Sequence, residues 1–277
     1  MNSMIGGSRL FYRIGWDCDE KDDLQAILDD LCGYGKDLDT KICHRKRLNL
    51  VYSLMDRFIK DGTIELYDSA IDIGCGSGVY SKMISDFGFK HVLGVDIIED
   101  LEENTKKRYS DEIAQGKLSF KSMNAEKLDA SLKFDFILCT EVIEHVDNPQ
   151  ALIAKIKGIL SEKGVAIISM PNVLSAPYFL RLVVKKLRRK EIDHELRTHL
   201  SYPFFKTIAF FRERGFRIRI TTGTNLLLSN PILKWIYGKP IFGAVNKTDS
   251  AFSASWPLKY FSQFFFIVIK KEPTYHQ

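Results

Sequence analysis

The chain has 277 residues, of which 45% are hydrophobic and 27% are charged, an ordinary globular composition. No basic segment followed by an apolar run begins it, and no apolar stretch reaches about 18 residues, so neither a signal peptide nor a membrane-spanning helix is expected. The five cysteines show no C-x-x-C spacing. This pattern favours reduced thiols and predicts a cytoplasmic protein.

The charge is unevenly distributed along the chain. Residues 1–174 carry 22 lysines and arginines against 29 acidic residues, whereas residues 175–277 carry 18 against 6. A basic second part is expected to meet something anionic, such as nucleic acid, lipid headgroups or a phosphorylated substrate. The alternative is a basic face that is simply solvated.

The first 44 residues are interpreted as an N-terminal extension. Apolar residues over 24–31 predict a short amphipathic helix, and those over 48–59 predict a second one of more than three turns. The second helix begins at a basic cluster, residues 44–47, for which we consider two interpretations. It is either a solvated helix end or a cap that grips an anion over the cofactor or substrate.

The stretch from Ala70 to Tyr80 is expected to organise the rest of the chain. A short apolar run there leads into glycines at positions 74, 76 and 78, followed by apolar residues at helical spacing. This order predicts a strand, a tight turn and a helix, in which the absence of Cβ atoms lets a ligand approach the backbone. The dinucleotide pattern G-x-G-x-x-G would need glycine at 79, where Val79 stands.

A second strand is predicted to end at Asp96, 20 residues after Gly76. Acids at that place hydrogen-bond ribose hydroxyls in nucleotide-binding α/β folds. Three further strands are predicted at 118–121, 134–139 and 164–170, with a helix beginning at Pro149. This alternation predicts a doubly wound, mostly parallel α/β sheet with helices on both faces.

Two segments interrupt the alternation and are interpreted as insertions. Residues 173–202 contain a basic amphipathic helix over 177–190, and residues 223–262 are a long apolar connection that we interpret as a lid or cap. Between the insertions come a predicted helix over 203–214 and a strand over 216–220, and the final strand is predicted at 264–269. The predicted α/β domain, including both insertions, extends over 45–277.

These motifs, taken together and in order, resemble a class I S-adenosylmethionine-dependent methyltransferase. The motifs are Asp72–Gly78, Asp96, Asn124-Ala125-Glu126, Glu141-x-x-Glu144-His145 and Met170-Pro171-Asn172. They are similar to those of the ubiquinone-pathway O-methyltransferases, over about residues 45–222 and 264–270. The resemblance implies a seven-stranded Rossmann-like sheet with a last antiparallel strand.

The resemblance also implies roles for individual residues. The three glycines would bed the methionine part of the cofactor, and a carboxylate at Asp72 suits its ammonium group. Asp96 would hold the ribose, Asn124 and Ala125 would border the adenine, and Thr140 would lie near the sulfonium. Methyl transfer is expected to depend mainly on alignment of the nucleophile behind the methyl group.

Catalysis is predicted at His145 and Glu144. An unperturbed imidazole titrates near neutral pH, which suits a general base. If residues 141–145 form one helical turn, then Glu141, Glu144 and His145 share a face and are suited to Mg²⁺. His199 would complete that set, as in the small-RNA 2′-O-methyltransferases. In relatives without metal, the acids cap the helix instead.

Three functions are therefore weighed. The first is O-methylation of a small-molecule hydroxyl, phenolic, quinone-precursor or sugar, with peripheral membrane contact as an option for an apolar substrate. The second is metal-assisted 2′-O-methylation of RNA, supported by the basic second part. The third is a non-catalytic binding module, which the intact glycine turn and Asp96 disfavour. The acceptor and the oligomeric state are left open by the sequence.

Overall fold

A computed structural model describes residues 38–64, 69–175, 178, 203–226, 239 and 241–272. Within them, seven strands form one sheet in the order β3-β2-β1-β4-β5-β7-β6. The strands are β1 (Ser69–Ile73), β2 (His91–Asp96), β3 (Leu118–Ser122), β4 (Phe134–Thr140), β5 (Leu160–Pro171), β6 (Phe216–Thr224) and β7 (Phe264–Lys271). The predicted seven-stranded Rossmann-like α/β fold is confirmed.

Most of the described strand pairs run parallel, and one runs antiparallel. β1 pairs in parallel with both β2 and β4, and β2 pairs in parallel with β3. β7 runs antiparallel to β6, with an irregularity between Ile218 and Ile220. Parallel strands end at the same edge of a sheet, so the loops after β1, β2 and β3 all emerge on one side.

Helices connect most of these strands. In chain order they are α1 (Leu38–Lys60), α2 (Val79–Asp86), α3 (Leu101–Arg108), α4 (Ser110–Ala114), α5 (Pro149–Ile159), α6 (Phe204–Glu213) and α7 (Ile241–Ala254). No helix of the described residues is both long and apolar enough to cross a bilayer.

The central strands form the core because they are apolar on both faces. Ile71 and Ile73 in β1, and Phe136, Ile137 and Leu138 in β4, are fully buried. A strand covered by helices on both sides reads as a nearly continuous apolar run, whereas a half-exposed strand alternates. This explains why the sequence revealed the strands at 70–73 and 134–139 so clearly.

The chain separates into two compact units. The first comprises the described residues up to Cys139 together with Gln150–Ala166. The second comprises Thr140–Pro149 and the described residues from Ile167 onward. The glycine turn and the loops after β2 and β3 therefore belong to the first unit, whereas the segment that contains His145 belongs to the second.

Several predicted boundaries differ from the structure. β5 begins at Leu160, four residues before the predicted start at Gly164. The connection predicted over 223–262 contains the end of β6, all of α7 and a short 3₁₀ helix, Leu258–Phe261.

The basic cluster at residues 44–47 is not a solvated helix end, and that interpretation is wrong. Arg45, Lys46 and Arg47 are all buried within α1. Arg47 Nη2 lies 2.9 Å from His44 Nδ1. Burial, aided by the nearby Arg47 guanidinium, lowers the pKa of His44 to about 4, so the imidazole is neutral at physiological pH.

Three sequence predictions fall outside the described residues. They are the short helix over 24–31, most of the basic helix over 177–190, and His199, the fourth residue of the suggested metal set.

Candidate active site

The glycine turn after β1 is built from left-handed backbone. Gly74, Gly76 and Gly78 have φ angles of 74°, 53° and 81°. Such angles are strained for residues that carry a Cβ, and glycine adopts them without cost. The turn is fixed to the neighbouring strand because the amides of Gly74 and Cys75 both donate to the Val95 carbonyl, at 2.8 and 3.1 Å.

The glycines have different surroundings. A Cβ on Gly78 would lie 2.8 Å from ring carbons of both Phe120 and Tyr109, whereas a Cβ on Gly76 would meet nothing within 4 Å. The two rings are stacked, with centroids 5.7 Å apart, and the Tyr109 hydroxyl donates to the Ser77 carbonyl at 3.1 Å. Gly78 is therefore required by packing, and Gly76 borders open space.

Asp96 at the end of β2 connects its strand to the glycine turn. Its Oδ2 accepts from the Gly76 amide at 2.8 Å, and its Oδ1 accepts from the Ile97 amide at 2.7 Å. The carboxylate is thus held in a fixed position, one strand away from the turn, as predicted. Beside it, Ile97 is 75% exposed, which leaves a large apolar side chain at the same edge.

The turn after β3 is tied to the loop after β2. The Met123 amide donates to the Asp96 carbonyl at 2.7 Å. Asn124 then caps a 3₁₀ turn, because its Oδ1 accepts from the Glu126 amide at 2.8 Å. Ala125 is buried, and Asn124 is exposed. Hydrogen bonds therefore join the glycine turn, Asp96 and the 124–126 turn into one cradle.

Asp72 lies within β1 and is fully buried. Its Oδ2 accepts from the Ser81 hydroxyl at 2.7 Å, and its Oδ1 accepts no hydrogen bond within the described residues. Burial raises the pKa of Asp72 to about 7, aided by the nearby Asp96 carboxylate and opposed by the Ser81 hydrogen bond. The sequence predicted the position of this acid but not its burial.

The segment after β4 in the second unit differs from the predicted helical turn. Glu141 has left-handed backbone, with φ of 56°, and residues 143–145 form a single 3₁₀ turn. The Glu141 amide lies 3.2 Å from Ser169 Oγ, and the Ser169 hydroxyl donates to Glu141 Oε1 at 2.7 Å. The inference that residues 141, 144 and 145 share a helical face is therefore wrong.

The two predicted catalytic residues have contrasting environments. His145 is exposed, whereas Glu144, next to it, is only 5% exposed. The His145 amide donates to the Val142 carbonyl at 2.9 Å, which closes the 3₁₀ turn. Thr140, the last residue of β4, is half-buried. The catalytic roles of His145 and Glu144 stay predictions.

The three described members of the suggested magnesium set, Glu141, Glu144 and His145, do not form a metal site. Within the described part of the chain, no group of three or more histidine, cysteine or acidic side chains could hold a metal ion. Glu141 is already bonded to Ser169, and Glu144 is buried. Mg²⁺ prefers several oxygen ligands in open octahedral geometry. We therefore derive no catalytic step through a metal.

The cradle of the first unit does fit a nucleoside that carries a positive charge. Gly76 leaves its backbone open to a ligand, and Asp96 presents a carboxylate at the same edge. Asp72 supplies a buried carboxyl oxygen that accepts no hydrogen bond within the described residues. A carboxyl group near a cation gains from their mutual attraction, whereas a pyrophosphate would be repelled there.

A sequence model of the family described as "Methyltransferase domain" matches residues 37–219. The chain belongs to this methyltransferase family. The family that the motifs predicted is thereby confirmed. The match covers the glycine turn, Asp96, the 124–126 turn and the segment from Thr140 to His145.

Curated relatives give a narrower comparison. The ubiquinone biosynthesis O-methyltransferase of Rickettsia conorii is 29% identical over 149 residues, which are 54% of this chain and 48% of the relative. That of Glaesserella parasuis is 29% identical over 143 residues, 50% and 60% of the respective lengths. The chain spans about half the length of the curated relatives it matches.

Solved structures support the fold. The magnesium protoporphyrin IX methyltransferase of Synechocystis PCC 6803, determined with bound SAH, aligns with a TM-score of 0.60 at 16% identity. The alignment covers 90% of this chain and 94% of that one. At this identity the likeness concerns the fold alone.

Sequence reasoning missed several residues of this site. Phe120 and Tyr109 explain why Gly78 must lack a side chain, and Ser81 holds Asp72. None of the three belongs to a recognisable motif. Their contacts join residues that are 9 to 42 positions apart, and only the fold brings such residues together. Ser169, which fixes Glu141, was missed for the same reason.

Proposed function

We propose that this chain is an S-adenosylmethionine-dependent methyltransferase that methylates a hydroxyl oxygen of a small molecule. The observation that carries the proposal is the cradle formed by the open Gly76 backbone and the fixed Asp96 carboxylate. Its membership of the methyltransferase family supports the reaction class. The relatives named ubiquinone biosynthesis O-methyltransferase support oxygen as the acceptor atom and a phenolic or quinone-precursor substrate.

In this proposal, each residue of the cradle has a distinct part in cofactor binding. Gly74, Gly76 and Gly78 let the backbone lie against the methionine portion, and Asp96 holds the ribose. Asn124 and Ala125 border the adenine, and the exposed Ile97 side chain is available to its flat apolar face. When bound, S-adenosylmethionine supplies a methyl group on a positively charged sulfur.

The proposed chemistry needs an acceptor oxygen that has lost its proton. His145 is exposed and carries an imidazole, the side chain that most often serves as a general base. We assign it as the general base, with the adjacent Glu144 as the second catalytic residue and Thr140 near the reacting centre. Alignment of the acceptor contributes the larger part of the rate, roughly 7–11 kcal/mol in well-oriented systems.

Asp96 provides the direct test of cofactor binding. We expect Asp96→Ala to abolish calorimetric binding of S-adenosylmethionine and of S-adenosylhomocysteine. Asp96→Asn is the matched control, because its amide oxygen can still accept from the Gly76 or Ile97 amide. It should keep the melting temperature near that of the wild type while binding weakly. Undiminished binding by Asp96→Ala would refute the assignment.

His145 tests the assignment of the base. Release of S-adenosylhomocysteine is followed over a panel of phenols, quinol precursors, sugars and short RNAs. With the best acceptor, His145→Ala should lower kcat by roughly 10²–10⁴-fold and leave cofactor affinity unchanged. Equal losses of turnover and affinity would instead make His145 a cofactor contact. Methylation of RNA alone would contradict the small-molecule assignment.

We further propose peripheral contact with an anionic membrane through exposed aromatic side chains of the second unit. Phe205, Trp256 and Phe261 are 59%, 76% and 48% exposed. The Phe205 and Tyr260 rings lie 5.0 Å apart, and Lys259 is adjacent to them in the chain. Described residues from 203 onward carry ten basic side chains against three acidic ones. Aromatic and basic side chains together suit a lipid interface.

Vesicle sedimentation tests this contact. Binding should be clear with phosphatidylglycerol-containing vesicles and weak with phosphatidylcholine alone. Trp256→Ser should weaken it severalfold, while Leu132→Ser, which changes an exposed apolar residue of the first unit, should not. An equal loss of vesicle binding in both variants, or no binding by the wild type, would contradict the proposed membrane contact.

A further inference from the structure

Asp72 occupies the centre of the first unit. In β1 it lies opposite Gly94 of β2 and Leu138 of β4, so the neighbouring strands place no charged side chain at its register. Its carboxyl group is fully buried directly before the glycine turn. A carboxylate in such surroundings is costly unless it is protonated or paired with a positive charge.

The hydrogen bonds of Asp72 leave one oxygen uncommitted. Ser81, itself fully buried in α2, donates its hydroxyl to Oδ2 at 2.7 Å. Oδ1 is equally buried, and within the described residues it accepts no hydrogen bond. Ser81 therefore fixes the orientation of the carboxyl group, and Oδ1 is left for a ligand or for a proton.

The surroundings of Asp72 favour its protonated form. Burial and the nearby Asp96 carboxylate raise its pKa, and the Ser81 hydrogen bond opposes them. The Cys75 thiol stays neutral, because burial, together with Asp72 and Asp96, raises its pKa. The pKa of Asp72 is raised to about 7, so a large share of molecules carry this proton at neutral pH.

We infer that Asp72 is a proton-releasing group coupled to cofactor binding, and that Ser81 is its positioning residue. This inference rests on the proposed function, because a positively charged nucleoside must enter the cradle. The positive charge favours the ionised carboxylate, and the proton on Asp72 passes to solvent. One O–H bond is broken in each molecule whose Asp72 was protonated before binding, and no electrons are transferred.

Calorimetry with S-adenosylmethionine measures this release directly. At pH 6.5, titrations in buffers with different ionisation enthalpies should show release of about 0.8 proton per ligand, given a pKa near 7. Affinity should fall about 15-fold from pH 7 to pH 5.5. The ligand's own α-amino group stays largely protonated throughout this range and does not cause the change.

Two variants separate the coupling from a structural effect. Asp72→Asn keeps an acceptor for Ser81 but cannot ionise, so it should release no proton and bind weakly at every pH. Ser81→Ala removes a hydrogen bond that lowers the pKa of Asp72, so the pH dependence should move to higher pH. A serine that served only packing would weaken binding equally at all pH values.

The outcomes distinguish this inference from the proposed function. If the wild-type protein binds neither S-adenosylmethionine nor S-adenosylhomocysteine at any pH, the proposed function fails. If it binds with no proton release, and with the same pH profile as Asp72→Asn, the proposed function stands and the inference is wrong. The wild-type proton count decides this even if a variant does not fold.

Discussion

Two left-handed bends of this chain reach similar backbone angles by different means. After β1, the bend is made of glycines, and Gly76 has φ of 53°. After β4, Glu141 adopts φ of 56°, although it carries a full side chain. A left-handed angle costs roughly 1–2 kcal/mol for a residue with a Cβ, whereas glycine adopts it freely.

The difference lies in what stabilises each bend. The glycine bend needs no side chain of its own and is held by the Val95 carbonyl and the Asp96 carboxylate. The Glu141 bend is held by Ser169, whose hydroxyl group contacts both the amide and the carboxylate of Glu141. Strained non-glycine residues are common at functional sites, where the surrounding structure fixes them. Glu141 is thus a strained acid whose position depends on Ser169.

The largest expected effect comes from adding a methyl group to the glycine bend. Gly78→Ala should destabilise the protein by roughly 2–5 kcal/mol, because alanine is strained at this φ angle and its Cβ would also overlap Phe120 and Tyr109. Gly76→Ala is the matched control, since only the φ angle is strained, and it should cost about 1 kcal/mol. Both should weaken cofactor binding. Urea unfolding and calorimetry measure the two effects, and equal destabilisation would contradict this account.

The next effect tests the support of Glu141. Ser169→Ala removes a buried hydroxyl that donates to the Glu141 carboxylate and should cost about 1–3 kcal/mol. Ser161→Ala is the comparison in the same strand, because Ser161 donates to Asp135 at 2.9 Å in a less buried position. It should cost less than about 1 kcal/mol. Chemical denaturation would reveal the difference, and a larger loss in Ser161→Ala would argue against a special role for Ser169.

The smallest effect separates strain from bonding at Glu141. In the wild type, Glu141→Gly removes the strain of the left-handed φ angle but also removes the hydrogen bond from Ser169. The free energy of unfolding should therefore change by less than about 1 kcal/mol. In the Ser169→Ala background this hydrogen bond is already absent, so Glu141→Gly should stabilise the protein by about 1 kcal/mol. A double-mutant cycle measures this. Additive effects in the cycle would show that the two residues do not support each other.

The sequence predicted the glycine bend because its chemistry is local. Three glycines between an apolar run and a helical pattern can only be a turn, and Asp96 follows at a spacing that β2 determines. The apolar strands β1 and β4 were equally visible because both faces of each are buried. Fold class and cradle could therefore be derived from short stretches of sequence.

The Glu141 bend could not be predicted because its cause lies 28 residues away at Ser169. Local spacing favoured a helical turn over 141–145, and the tertiary contact overrides that preference. The interpretation of residues 44–47 as a solvated helix end failed for the same reason. Charged residues are usually solvated, but here Arg45, Lys46 and Arg47 are buried. Burial of Asp72 beneath an open turn was likewise invisible without the fold.

The strand order has a consequence for how the polypeptide matures during synthesis. Among the strands of the described residues, β7 is made last, yet it lies between β5 and β6. β6 and β5 therefore have no common neighbour until residues 264–271 have left the ribosome. A nascent chain stalled before that point would expose the ladder edge of β6 to chaperones or to other chains, even though the strands that carry the glycine bend are already complete.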